Sequence, residues 1–315
     1  MTQAVDVEGL PADAARGRAL LGLVLVLGAS ASFATSGVFG TSLGAAGWSA
    51  TAALTIRLGV AALVLTMPAL LALRGRRGVI RRSAPRLLAY GLLPIAAGQV
   101  AYFNALQHLD VGVCLLVFNL GIFWVVGWMW ARHGQRPGLL VGVGGLLAMA
   151  GVTLVLDVRG DVRVDGAGLA WALAGTVGLA MHYVLPANAG HDLPPVAVAW
   201  AGLGTGAVAL ATAGLSGVVP LHASRADVDL VGHAVGWVWP IAGLAILSGV
   251  VPYLTIAVGS RLLGARLSAF VGLTEMLFGA LLAWLLLGQT LGPLQLAGAA
   301  VAVAGIGLVR YAETG

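Results

Sequence analysis

Two stretches, WARHGQRPGLLVGVGGLLAMAGVTLV (residues 130–155) and WLLLGQTLGPLQLAGAAVAVAGIGLV (residues 284–309), lie 154 positions apart and align without a gap. Trp130 meets Trp284, Gly134 meets Gly288, Gln135 meets Gln289, Gly138 meets Gly292 and Leu140 meets Leu294. Gly144, Ala148, Ala150, Gly151, Leu154 and Val155 meet Gly298, Ala302, Ala304, Gly305, Leu308 and Val309. Eleven identities in 26 positions exceed the few that a biased composition supplies. The chain therefore reads as an internal duplication.

Composition says what kind of unit is duplicated. Of 315 residues, 59% are hydrophobic and only 9% charged, with mean hydropathy +0.97. A soluble domain needs more charge than this to cover its surface. Apolar runs of about 20 residues, the length that crosses a bilayer, recur from Ala19 to Tyr311. Turn residues divide them into ten spans: 19–40, 48–73, 86–107, 111–131, 138–156, 166–186, 193–216, 237–259, 264–287 and 293–311. Lipid offers backbone groups no partner, so each span is expected to be helical. Residues 1–18 read as a polar tail; the run after Arg18 continues past any signal-peptide cleavage site and reads as an uncleaved first helix.

The net charge of +5 comes with 17 basic residues, all arginine, mostly in short loops. Such arginines set membrane orientation and do not call for a nucleic-acid partner. Arg74, Arg76, Arg77, Arg81, Arg82 and Arg86 are expected in the loop after the second span. Arg132 and Arg136 follow the fourth, and Arg261 and Arg266 the eighth. Alternation puts all of these on one side, together with both termini, and that side is expected to be cytoplasmic. The loops DVRGDVRVD (157–165) and HASRADVD (222–229) on the other side carry acids that balance or outnumber arginines. Trp48, Trp128, Trp130, Trp237 and Trp239 fall near span ends and read as interfacial anchors.

An odd number of spans per repeat forces the second copy to enter the membrane from the other side. The expected fold is an all-α membrane protein of ten transmembrane helices in two inverted five-helix repeats, 19–156 and 166–312. The seven-residue spacing of Gly144 with Gly151, and of Gly298 with Gly305, puts each pair on one helix face, where small residues allow close packing.

The stretch GARLSAFVGLTEMLFGALLAWLLLGQTLGPLQLAGAAVAVAGIGLV (264–309) resembles the C-terminal signature of EamA-type members of the drug/metabolite transporter superfamily. VAYFNALQHLDVGV (100–113) resembles the equivalent approach to the fourth helix in the first half. The resemblance implies a ten-helix inner-membrane carrier, often an exporter of amino acids, small metabolites or toxic compounds. Three departures stand out. The family's Glu-Pro pair is Glu275-Met276, and Gln289 stands where an acid is common. The first half lacks the family's acid near the start of the fourth helix: Gly121 is the repeat partner of Glu275, and Asn119 is the nearest polar residue.

Few polar residues lie within the spans, and they are the candidate pathway. Glu275 is expected about three turns into the ninth helix, facing a wet interior because hydrocarbon rejects its charge; it reads either as a proton carrier or as a packing residue. Arg57, where the family often has arginine, could attract a substrate carboxylate, pair with Glu275, or serve a gate. Gln99 and Tyr102 share a face of the third helix, and Tyr253 occupies the corresponding part of the eighth. Pro94 and Pro252 interrupt the same two helices, as transporter helices often are at their sites. His182 and Tyr183 precede Pro186 near the expected cytoplasmic end; His182 reads as a solvated interfacial group or a proton relay. Asn119 is expected to bond across helices or line the path. Cys114 has no partner for a disulfide or a CxxC site.

No P-loop, HExxH, metal-ligand cluster or GxSxG elbow is present in the sequence, so no cofactor, metal or catalytic group is expected. The expected function is secondary transport by alternating access, with a small-molecule substrate, the bilayer and protons as partners and a homodimer among the expected assemblies. Two other readings are an intramembrane enzyme acting on lipid-linked substrates and a non-transporting sensor or scaffold. The sparse intramembrane polar set disfavours the first, and the lack of a soluble signalling domain the second.

Overall fold

The computed structural model describes residues 12–157, 165–190, 192–288 and 290–314. Residues 1–11 of the expected tail, residues 158–164 of the loop after the fifth span, and Gln289 lie outside them. Among the described residues, nine helices are long and apolar enough to cross a membrane, and a shorter apolar helix, Leu139–Val155, completes the ten. They are α1 (Ala12–Ala45), α2 (Ala50–Ala72), α3 (77–106), α4 (111–133), α5 (Leu139–Val155), α6 (Gly166–Ala187), α7 (Pro195–Leu215), α8 (Val238–Leu263), α9 (265–287) and α10 (Pro293–Thr314). A hairpin of β1 (Val228–Leu230) and β2 (His233–Val235) sits between α7 and α8.

Two boundaries and one side chain differ from expectation. Helix α1 begins at Ala12, so residues 12–18 of the expected tail are helical. The arginine loop after α2 is mostly helix: α3 starts at Arg77 and carries Arg81, Arg82 and Arg86 in its first turns. Alternating Arg with Val79 and Ile80 gives that start an apolar side, and helical backbone there needs no lipid contact. Trp48 is buried against Trp237, ring centroids 5.8 Å apart, and does not face outward as an anchor.

The two halves repeat each other in detail. Gly134 and Gly288, one repeat apart, end α4 and the matching α9 in the left-handed region at φ 69° and 67°, a conformation open to glycine at no steric cost. Helix α3 passes through a π-helical segment, Gly91–Ala97, around Pro94, and α8 through Ile246–Val250 just before Pro252. Moved by 154 positions the first segment becomes 245–251, which contains the second. Proline has no N–H to return to the preceding turn, so the ladder slips to wider turns. The freed carbonyl of Leu247 accepts a hydrogen bond from the Ser32 hydroxyl of α1, and Thr35 Oγ1 lies 2.8 Å from Ser248 Oγ.

Helices α4 and α9 also break at matching places. Leu120 N bonds Val117 O at 3.0 Å and Phe123 N bonds Leu120 O at 2.9 Å; Leu273 N bonds Phe270 O at 3.2 Å and Met276 N bonds Leu273 O at 3.1 Å. These tight turns split each helix in two: Val111–Asn119 and Gly121–His133, then Ala265–Gly272 and Thr274–Leu287. Glu275 therefore lies in the first turn of a new helical segment. It is also about three turns into α9 as a whole, as expected.

The most extensive helix contact joins α5 to α10. A Cβ added to Gly144 would lie 2.8 Å from the Gly305 carbonyl oxygen, and one added to Gly305 would lie 2.6 Å from that of Gly144. Gly151 and Gly298 face each other likewise, at 2.6 and 2.8 Å. The lower-numbered glycine of one helix meets the higher-numbered one of the other, so these repeat-related helices run antiparallel. The second repeat is inverted, as the odd helix count requires. Gly151→Leu or Gly298→Leu should overpack this seam and cost roughly 1–3 kcal/mol, read as a lower thermal midpoint of the detergent-solubilised protein. Gly142→Leu, on the open side of α5 with nothing within 4 Å of the new Cβ, should leave the midpoint unchanged.

Candidate functional site

Polar and aromatic side chains from both repeats converge between the halves. Phe33 comes from α1, Arg57 from α2, Tyr90 from α3, His182 and Tyr183 from α6, Tyr253 from α8 and Glu275 from α9. His182 is the hub of the ring cluster. Its ring lies 5.8 Å from Phe33, 5.2 Å from Tyr183, 5.5 Å from Tyr253, and 6.1 Å from Tyr90 in a stacked arrangement. Phe33 meets Tyr253 edge-on at 5.3 Å. The Arg57 guanidinium carbon stands 5.8 Å from the Phe33 ring centre, within cation–π range.

Burial makes these contacts consequential. Arg57 is 8% exposed, His182 9% and Tyr90 1%. His182 is thus buried among rings and is not the solvated interfacial histidine that its position suggested. The Arg57 guanidinium lies near the Tyr253 hydroxyl, while its Nε and the Tyr90 hydroxyl are buried with no hydrogen-bond partner. Glu275 is half-buried. It lies within electrostatic reach of Arg57, Tyr102, Tyr183 and Tyr253, but no direct ion pair to Arg57 forms. The Tyr183 hydroxyl packs against the Cα of Gly272, where a side chain would displace it. The first-turn amides after the break and the helix dipole favour a carboxylate at Glu275. An acid, a guanidinium and three tyrosines can hold a small polar solute with charges of both signs, and the rings can cover its apolar part.

Other expected site residues lie elsewhere. Tyr102 stands outside the ring cluster, edge-on to Phe118 at 5.5 Å. Gln99 is half-buried one turn before it on α3 and does not join the ring cluster. Asn119 is buried, but its Nδ2 donates to Leu115 O of its own helix at 2.8 Å, so it makes no bond across helices. Tyr90 and Phe33 were not foreseen. Tyr90 stands four residues before Pro94, the place whose carbonyl a proline releases, and that was the one signal pointing to it.

The missing first-half acid has a steric explanation. A Cβ at Gly121 would lie 2.5 Å from Thr176 O and 3.0 Å from Leu179 Cβ of α6. Helix α4 packs there against the backbone of α6, so no carboxylate fits. Among the described residues, no group of three or more His, Cys, Asp or Glu side chains could hold a metal ion.

Comparison with known proteins agrees with this architecture. The chain is 22% identical over 227 residues to an uncharacterized transporter of Archaeoglobus fulgidus, covering 72% of this chain and 75% of that one. A solved crystal structure shares the fold, with a TM-score of 0.70 at 20% identity over 93% of this chain and 97% of that one. The model of the EamA-like transporter family matches residues 20–157 and again 166–311, one match for each five-helix repeat. The chain belongs to the EamA-like transporter family, a multi-pass membrane transporter of the drug/metabolite type.

Proposed function

We propose that the chain is a secondary active carrier of the inner (plasma) membrane that exports amino acids or similar small metabolites or drugs by alternating access. The observation that carries this reading is the convergence of Glu275, Arg57, His182, Tyr183 and Tyr253 between the inverted repeats, 19–156 and 166–312. Arg57 holds an anionic group of the solute, and the tyrosine hydroxyls and rings hold the rest. Glu275 exchanges protons, being the acid that a proton gradient can load on one side and unload on the other. Gln99 and Tyr102 line the approach from the face opposite the arginine loops, and Asn119 braces the break in α4. The arginine-rich face is cytoplasmic, with both termini there. The chain makes and breaks no covalent bond in the solute, and it works as a single copy or as a homodimer.

Comparing metabolites inside cells and in the medium, for a deletion strain against its parent, should show the substrate accumulating inside the deletion strain. With that solute in radiolabelled form, everted vesicles bearing the parent protein should accumulate it when a proton gradient is imposed. Glu275→Gln should abolish gradient-driven accumulation yet retain exchange of labelled for unlabelled solute. Gradient-driven accumulation at the parent rate in this variant would remove the proton role. Arg57→Lys keeps the charge but loses the planar fork, and should raise the KM for that solute about tenfold, the scale of one charge-assisted hydrogen bond. An unchanged KM would place Arg57 outside the solute site.

A further inference from the structure

The two ends of the molecule, though built from repeated helices, are not in the same state. On α8 near the arginine-rich face, Tyr253, Ile256, Ala257 and Ser260 are buried. Their counterparts 154 positions earlier on α3, near the opposite face, are Gln99, Tyr102, Phe103 and Leu106, and all are half-buried. Phe103 and Gln107 line a cavity of about 460 Å³ there, together with Ala50 and Thr51 of α2. The first segment of α9 repeats the pattern: Leu267 to Gly272 are all buried, whereas in the matching segment of α4 only Cys114 and Asn119 are. The end near the arginine face is closely packed, whereas its repeat at the other face is packed less closely and holds the cavity.

One side chain bridges the closely packed end. Arg261 ends α8 and is the repeat partner of Gln107. Its Nη1 donates to Leu193 O at 2.7 Å and its Nε to Pro186 O at 3.4 Å, clasping the end of α6 and the start of α7 onto α8. Arg76 Nη1 adds a bond to Asp192 O at 3.0 Å in the same connection. Gln107 makes no such clasp, and the cavity lies beside it. A guanidinium on backbone carbonyls gives strong, geometrically fixed, charge-assisted bonds that glutamine cannot reproduce.

We infer that Arg261 is the latch of the closed face: its bonds to the Pro186 and Leu193 carbonyls hold α6, α7 and α8 together, and their release opens a cavity at Ala257 and Arg261 equivalent to that at Phe103 and Gln107. This rests on the alternating-access reading, and it adds the residue that sets the balance between the two states. Arg261 is a positioning residue, with no contact to the solute.

The test reads accessibility without transport. In a Cys114→Ser background, Ala257→Cys reports the closed face and Phe103→Cys the open one, with the full chain in lipid nanodiscs and a membrane-impermeant maleimide as the probe. The Phe103→Cys reporter should react fast and the Ala257→Cys reporter slowly. Arg261→Gln should speed labelling at position 257 by about tenfold or more, the scale of one lost charge-assisted hydrogen bond, and slow it at position 103. Arg261→Lys should fall between, and it carries the test if the glutamine variant does not fold. Unchanged labelling at 257 in the folded variants overturns the latch, and so does a rise at both reporters together, the mark of a merely loosened fold. Reciprocal labelling alongside unimpaired proton-driven transport by Glu275→Gln would leave the latch standing while removing the proton role.

Discussion

Placing a carboxylate in hydrocarbon costs at least ~2.5 kcal/mol, and a guanidinium costs as much. Glu275 and Arg57 both lie within apolar helices, so the bundle must turn them inward and surround them with polar groups. The same pressure acts on the backbone. The π segments before Pro252 and around Pro94 release carbonyls that lipid cannot satisfy, and at α8 the hydroxyl of Ser32 takes one of them. Charges and interrupted helices therefore gather in one place, between the repeats, where protein and water can serve them.

Close backbone packing makes such an interior possible. Gly144, Gly151, Gly298 and Gly305 let α5 and α10 approach until each glycine meets the opposing carbonyl. Gly98 and Gly178 do the same for α3 and α6, where a Cβ on Gly178 would stand 2.9 Å from the Gly98 Cα. In lipid, helices gain little from burying apolar surface against one another, so contact of this kind supplies the attraction. It also constrains function. Where Gly121 packs on the backbone of α6, the site loses one of its two potential acids, and chemistry between the halves becomes asymmetric although the fold is nearly symmetric.

Much of this was legible from residue order. Apolar run lengths set the ten helices, the 154-residue repeat set their pairing, and the odd count set the inversion. Glu275 and Arg57 were legible as inward-facing for the same reason that they are rare. Depth of burial and the partners of each polar group were not legible. His182 lies only five residues before the end of α6, which suggests solvent, yet rings from three other helices cover it. Asn119 reads as bonding across helices or lining the path, but its side-chain amide donates to a carbonyl of its own helix. Periodicity reports the face of a helix and says nothing about how far a neighbouring element extends over it.

Sequence by itself determined the class, the helix count, the inverted duplication and the residues that lipid would exclude, because these follow from transfer free energies and run lengths that are local properties of the chain. Only the tertiary structure decided which side chains meet, Tyr90 beside His182 and Arg57 over Phe33, and that Glu275 follows a break in α9. It alone also decided that the Arg261 end of α8 packs more tightly than the repeat-related end of α3. Repeat-related residues such as Arg261 and Gln107 occupy equivalent positions in sequence, and which of them bridges two helices depends on the packing of helices from distant parts of the chain.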